Sequence, residues 1–129
     1  MDKERLESLA NRLLEIPAKI VEAQLELLTL TETSQSQSDK ITQIESVIRA
    51  EIGATVDGSG KKAYSNAEAR DAAFVEKTAD NYELIVAKTD LAKTQRSVQE
   101  KRIKIEALGS DQRNIRSVLY FIGGGEGSI

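Results

Sequence analysis

The chain has no cysteine, no histidine and no tryptophan, a single proline, and aromatic residues at only 4%. Each shortage removes something. Without cysteine there is no disulfide framework, no thiolate nucleophile and no thiolate zinc site. Without histidine the commonest general base and metal ligand near neutral pH is gone. Only a carboxylate-built Mg²⁺ or Ca²⁺ site stays open, and no acid/base or nucleophile constellation is visible. The reading is therefore of a protein that is not an enzyme, with no catalytic residue, no cofactor and no metal. Few large rings mean little buried area per residue, so self-association is an expected source of stability. No apolar run approaches the roughly 20 residues that cross a bilayer. The opening Met1-Asp2-Lys3-Glu4-Arg5-Leu6 is charged rather than an apolar secretion signal. A cytoplasmic protein without a membrane segment is expected; the lack of thiols fits a reducing compartment.

Charged residues, by contrast, make up 30% of the chain, and its net charge of −3 is unevenly spread. Residues 1–60 hold six basic and eleven acidic side chains, whereas residues 87–129 hold eight basic and five acidic. An acidic first half and a basic last stretch can attract each other within or between chains, and the basic part can also face phosphates.

The first apolar pattern runs through Leu6, Leu9, Leu13, Ile16, Ile20, Ala23, Leu27 and Leu30 in alternating steps of three and four, which keeps one stripe on one side of an α-helix. Leu14, Val21, Leu25 and Leu28 widen the stripe, as suits a bundle. Pro17 predicts a kink or break near residues 14–17, or the first turn of a second helix. Residues 29–38 are rich in hydroxyl and amide side chains that compete with helix by bonding to nearby backbone. Yet Ile41, Ile44 and Ile48 resume the stripe in phase. The phase favours a continuous helix, with Ser34 and Gln37 as a polar layer, over a linker loop. Gly53 is a natural C-cap. Asp57-Gly58-Ser59-Gly60 signals a turn, read as a flexible connection in preference to a very short hairpin between Thr55-Val56 and Ala63-Tyr64.

From Ser65 to Ile122 there is no proline and no glycine until Gly109. Ser65 and Glu68 have the spacing of a capping box. Beyond it a second stripe follows: Leu84, Ala87, Leu91, Val98, Ile105, Leu108, Ile115, Leu119 and Ile122, interrupted by Thr94, Lys101 and Gln112. The reading is one long helix over 65–122, with a stutter at Asp80-Asn81, a hinge at Gly109, and a flexible glycine-rich tail over 123–129. Its seam residues Leu84, Leu91, Val98, Ile105, Leu108, Ile115 and Leu119 are the candidate helix-seam and oligomer contacts.

Lys88, Lys93, Arg96, Lys101, Arg102, Lys104, Arg113 and Arg116 make the last helix basic. Arg102 and Arg113 lie about three turns apart and share a side with Arg116. Such a face contacts nucleic-acid phosphates or, more plainly, is solvated and paired with the acidic half. Gly58-Ser59-Gly60-Lys61-Lys62 lacks the full phosphate-loop spacing; it reads better as a basic loop tip than as a nucleotide site. Tyr120-Phe121-Ile122 is a last core layer or an oligomer contact. Glu15, Glu22 and Glu26 share a helix side, which alone makes only an acidic face.

A glycine-rich acidic turn before a long basic helix that ends in Arg113-Asn114-Ile115-Arg116-Ser117-Val118-Leu119-Tyr120-Phe121 resembles the layout of phage recombination-mediator proteins of the UvsY type. The likeness covers roughly residues 50–122; the acidic, strongly periodic first half departs from it. It implies a small helical oligomer, phage-encoded and working in the host cytoplasm, that binds single-stranded DNA and helps load a recombinase in DNA recombination. Lys61, Lys62, Arg102, Arg113 and Arg116 would then be the DNA contacts.

The reading as a whole is an all-α protein, a long antiparallel helical hairpin or coiled-coil-like bundle that self-associates. A single helical domain spans 1–122, with an arm over 2–52, a turn over 53–64 and the long helix over 65–122. Function is expected to be a non-enzymatic, self-assembling helical interaction module whose partners are further copies and a helical protein. The alternative is the single-strand DNA-binding mediator.

Overall fold

A computed structural model describes residues 2–127, with three α-helices: α1 (Lys3–Ala54), α2 (Ala67–Ala79) and α3 (Tyr82–Gly127). Among the described residues there is no strand, only one isolated antiparallel bridge between Val56 and Lys62. The protein is all-α. It divides into two compact units, one of Met1–Thr31 with Arg96–Ile129, the other of Glu32–Gln95.

Helix α1 passes Pro17 without interruption. Pro17 is exposed, while Ile16 beside it is buried and Ile20 half-buried. One missing backbone donor on the solvent side is a single defect between two well-anchored turns, so neither the break nor a second start occurs. The polar stretch after Leu28 is helical too. Its hydroxyls bond backward within the helix, Thr31 Oγ1 to the Leu27 carbonyl at 2.8 Å and Thr42 Oγ1 to the Ser38 carbonyl at 3.1 Å, and Gln35 donates to Asp39 at 2.9 Å. Competition for the backbone is thereby resolved in favour of the helix. The residues on the three-four line from Leu6 to Ile48, Ser34 and Gln37 included, are each buried or half-buried.

Three local expectations are corrected. Gly53 lies inside the last turn of α1 with no left-handed φ; Thr55 closes that end by donating to the Glu51 carbonyl at 2.6 Å. The connection is a tight hairpin rather than a plain flexible loop. Asp57 N–H reaches the Lys61 carbonyl at 2.7 Å, and Ala63 N–H reaches the Thr55 carbonyl at 3.0 Å. Asp57 Oδ1 accepts from Ser59 N–H, Ser59 Oγ and Lys61 N–H, and Gly60 takes a φ of 84°, the left-handed conformation that glycine alone adopts freely. The N-cap of α2 is Asn66, whose side chain accepts from Ala69 N–H at 2.8 Å, not Ser65. Asn caps as well as Ser, and one position later its carboxamide meets the first free N–H groups.

The expected single helix over 65–122 is two helices. Asp80 ends α2, and Asn81 starts α3 by accepting from Leu84 N–H at 2.8 Å. The apolar phase differs on the two sides of this point, and a residue that caps well lets the chain stop and restart instead of stuttering. Gly109 is no hinge in the described helix: α3 runs through it and on to Gly127. Adding residues to a formed helix needs no new nucleus, so a glycine run at its end is carried along. Residues 128 and 129 of the expected tail lie outside the described residues.

Within Glu32–Gln95, Ile41 packs with Leu84 and Ala87, and Ile48 and Ile52 pack with Ala73; Ile44 touches both groups. Arg49 stands 3.8 Å above the Phe74 ring and 3.7 Å from Asp71, which fastens α2 to the end of α1. Within the other unit, Ile16, Ala23, Val98 and Ile115 are buried, and two ion pairs fix α1 and α3 as antiparallel: Arg12 with Asp111 at 2.6 Å, and Glu26 with Lys101.

Candidate functional site: the exposed faces of the helices

The seam of α3 is turned inward. Leu84, Val98 and Ile115 are buried, and Leu91, Ile105, Leu108 and Leu119 are half-buried, as are the polar members Thr94, Lys101 and Gln112. Leu84 and Leu91 meet α1 of the same chain. Lys101 sits in the seam because its ammonium reaches Glu26; the hydrogen bond and charge of Lys101 hold the Glu26 carboxyl below the usual carboxylate range. The attraction between the acidic half and the basic helix thus operates within one chain at this pair, whereas Arg12–Asp111 has the opposite polarity.

What the seam leaves open is on the other side of α1. Leu14, Val21, Leu25 and Leu28 are 78%, 54%, 60% and 55% exposed. With exposed Ala18 they are spaced four, three, four and three residues apart, a second stripe with its own regular register. Its members follow seam residues by one or two positions. At 100° per residue, the stripe is centred about 150° around the helix from the seam. Sequence reasoning took these residues as a widening of one stripe; the signal that separates them is their own four-three spacing. The far side of α3 is different: in the same unit it carries Arg96, Gln99, Ile103, Glu106 and Arg113.

The five candidate nucleic-acid contacts, Lys61, Lys62, Arg102, Arg113 and Arg116, are all exposed, and no ion pair engages them among the described residues. Arg102, Arg113 and Arg116 stand on α3 in one unit, with Glu106 between them in sequence; Lys61 and Lys62 belong to the hairpin of the other. The Arg113 guanidinium folds back over Gly109, 3.5 Å from where a Cβ would stand. Tyr120 and Phe121 are more than four-fifths exposed and form no core layer, while Ile122 is half-buried. Of the acidic trio, Glu26 is taken by Lys101 and Glu15 lies 4.0 Å from Lys19. Among the described residues no group of three acidic side chains is placed to hold a metal ion, and no helix is long and apolar enough to cross a membrane.

No protein-family model, curated protein or solved structure matches the chain. These comparisons leave the likeness to UvsY-type mediators, a likeness of layout, untested.

Proposed function

We propose that the protein is a non-enzymatic, self-assembling helical interaction module whose work is done by helix faces rather than by a pocket. One observation carries this reading. The first thirty residues of α1 hold two apolar stripes, of which one is covered by the chain's own α3 and the other, Leu14–Leu28, is open. A helix apolar on two sides is stable in water only when both are covered. Fully burying a leucine or valine side chain is worth about 1.5–3 kcal/mol. Four such side chains, each more than half exposed, leave several kcal/mol to be gained by a partner. Light-scattering mass is the test. The native chain is expected as an oligomer, and Leu14→Lys with Leu25→Lys is expected to reduce it to the monomer while circular dichroism keeps its helicity. A monomeric native chain at tens of micromolar refutes the reading.

A second reading, binding of single-stranded DNA in the manner of a recombination mediator, is favoured by the five exposed basic side chains, none of them in an ion pair among the described residues. It predicts uptake of a labelled oligo-dT strand at low salt and release as salt rises. Arg102→Glu, Arg113→Glu and Arg116→Glu together should abolish uptake. An oligomer that ignores the strand at low salt removes this reading and leaves the first.

A further inference from the structure

We infer that the open stripe of α1 is covered by the same stripe of a second copy, with the two α1 helices parallel and in register from Asn11 to Leu28. The inference rests on the self-assembly reading and adds the surface, the orientation and the register.

In heptad terms the stripe reads Glu7, Asn11, Leu14, Ala18, Val21, Leu25, Leu28, Glu32, so an apolar run is bounded by Asn11 and then Glu7 at one end and by Glu32 at the other. Asn11, Ala18 and Leu25 hold one kind of core position, and Leu14, Val21 and Leu28 the other. In a parallel pair each layer meets its own copy: Leu14 on Leu14, Ala18 on Ala18, Val21 on Val21, Leu25 on Leu25, Leu28 on Leu28. Asn11 then faces Asn11, where two carboxamides can bond to each other, the arrangement by which a single polar layer fixes a parallel register. The flanking acids Glu15 and Glu22 fall beside Ala10 and Pro17 of the other copy, so no like charges meet between Asn11 and Leu28; Glu7 and Glu32 meet their own copies at the two ends, a cost that the first antiparallel register shares by setting Glu7 against Glu32.

Antiparallel pairing fails on the same residues. One register sets Glu15 against Glu22 of the other copy, twice, and buries Asn11 against Leu28. Lys19, 4.0 Å from Glu15, offsets only part of that repulsion. The next register, seven residues along, sets Leu14 against Glu32 and brings Glu22 against itself. Like charges across a helix pair are the usual means by which wrong orientations are suppressed. The far side of α3 supplies no comparable mate, since between Arg96 and Arg113 it sets one isoleucine, Ile103, among Gln99, Glu106 and Ser110, and reaches another large apolar side chain only at Tyr120. The stripe's best complement on this chain is itself.

The chain has no cysteine, so an introduced thiol reports alone. Asn11→Cys should form a disulfide-linked dimer under mild oxidation, because parallel registry puts the two thiols in one layer. A mixture of Asn11→Cys and Leu28→Cys should give no mixed dimer, since those positions lie about 25 Å apart along a helix at 1.5 Å per residue. Mixed dimers without the Asn11→Cys homodimer would overturn the parallel orientation and leave self-assembly standing. A native oligomer that gives neither product would overturn the assignment of this surface. A native monomer would overturn the functional reading, and the inference with it. Ala18→Leu, which fills the one small layer, should tighten the dimer at least several-fold; an unchanged or weakened dimer counts against Ala18 meeting Ala18.

Discussion

Replacing Gln37 by leucine should stabilise the protein by about 1–3 kcal/mol. Gln37 stands on the inward line of α1, half-buried, and its Oε1 is shielded from water with no hydrogen-bond donor among the described residues. An acceptor left unsatisfied in this way costs about 1–3 kcal/mol relative to one that is paired or absent. Leucine removes the cost and adds part of the roughly 1.5–3 kcal/mol that a fully buried leucine contributes. Partial burial reduces that second contribution, and the loss of a flexible amide from a layer it shares with Ser34 limits it further. The assay is equilibrium urea unfolding. With a slope of about 1–3 kcal/mol per molar, the midpoint should rise by about 1 M with an unchanged slope. Gln35→Leu is the control: Gln35 is exposed and its amide bonds to Asp39 at 2.9 Å, so its replacement should not raise the midpoint. If Gln37→Leu lowers the midpoint, the amide has a donor that stabilises the fold and the argument is wrong. If the midpoint rises but the slope falls, the polar layer is setting helix register, and removing it admits other alignments.

Other outcomes follow from named groups. Gly53→Ala and Gly109→Ala should each stabilise by about 0.5–1 kcal/mol, as both glycines are helical and a new Cβ meets either nothing or Arg113 at 3.5 Å; Gly60→Ala, at φ 84°, should instead cost about 1–2 kcal/mol. Thermal unfolding of the three variants decides this, and a destabilised Gly109→Ala would restore the hinge. Arg49→Met should cost about 0.5–1.5 kcal/mol through the lost stacking on Phe74, and Asp71→Asn clearly less, because that contact is long and exposed; equal costs would mean the ion pair is the stronger bond. The Glu26 carboxyl is held below its ordinary value by Lys101, so its contribution is complete above the usual carboxylate range and disappears as pH falls through the lowered value in the folded chain. Glu26→Gln should flatten the acid side of the stability–pH curve and leave the difference from native largest at neutral pH; a variant that unfolds in acid as the native chain does refutes the linkage.

How far the sequence could be read depended on the range of the forces involved. The two seams were legible because a step of three or four is a property of the helix itself, and tertiary packing merely covers what the period already lines up. Continuity through residues 29–38 was legible for the same reason, since the phase from Leu30 to Ile41 outweighed the local preference of threonine and serine. Choices made by one hydrogen bond were not. Asn66 against Ser65 as the cap, and a restart at Asn81 against a stutter, turn on where one carboxamide reaches one N–H, and asparagine and serine cap about equally well. The hairpin at Asp57 depends on three donors converging on one carboxylate oxygen, a geometry that composition does not reveal. The pairs Glu26–Lys101 and Arg49–Phe74 join residues far apart in the chain, and spacing carries no information about them. Of the candidate site, the basic residues were found as a list, whereas the open stripe was hidden inside what looked like one broad stripe. Burial makes visible a separation of Leu13 from Leu14 that the four-three spacing of the open stripe already carried.

That separation bears on what kind of molecule this is. Leu13 and Leu14 are adjacent, chemically identical, and placed in different environments because α3 has only one apolar line to offer. Had Leu14, Val21, Leu25 and Leu28 been needed merely to widen the core, α3 would require matching apolar residues on its flank. Its flanking positions are instead Arg102, Lys104, Gly109, Asp111 and Arg116. The mismatch is confined to the first thirty residues: after Leu28 the same outer line of α1 reads Glu32, Gln35 and Asp39, and is polar. On the self-assembly proposal, a stripe that begins at an asparagine, ends at a glutamate and stays in register between them is the length of the interface rather than of the helix. An ordinary scatter of surface leucines would have neither the period nor the ends. Shortening the run from its C-terminal end by Leu28→Gln should therefore weaken assembly less than Val21→Gln at its middle, although Leu28 and Val21 are about equally exposed in the free chain. Sedimentation velocity over a concentration series measures both. Equal losses would mean that the stripe acts as separate apolar spots, and that its register carries no information about the partner.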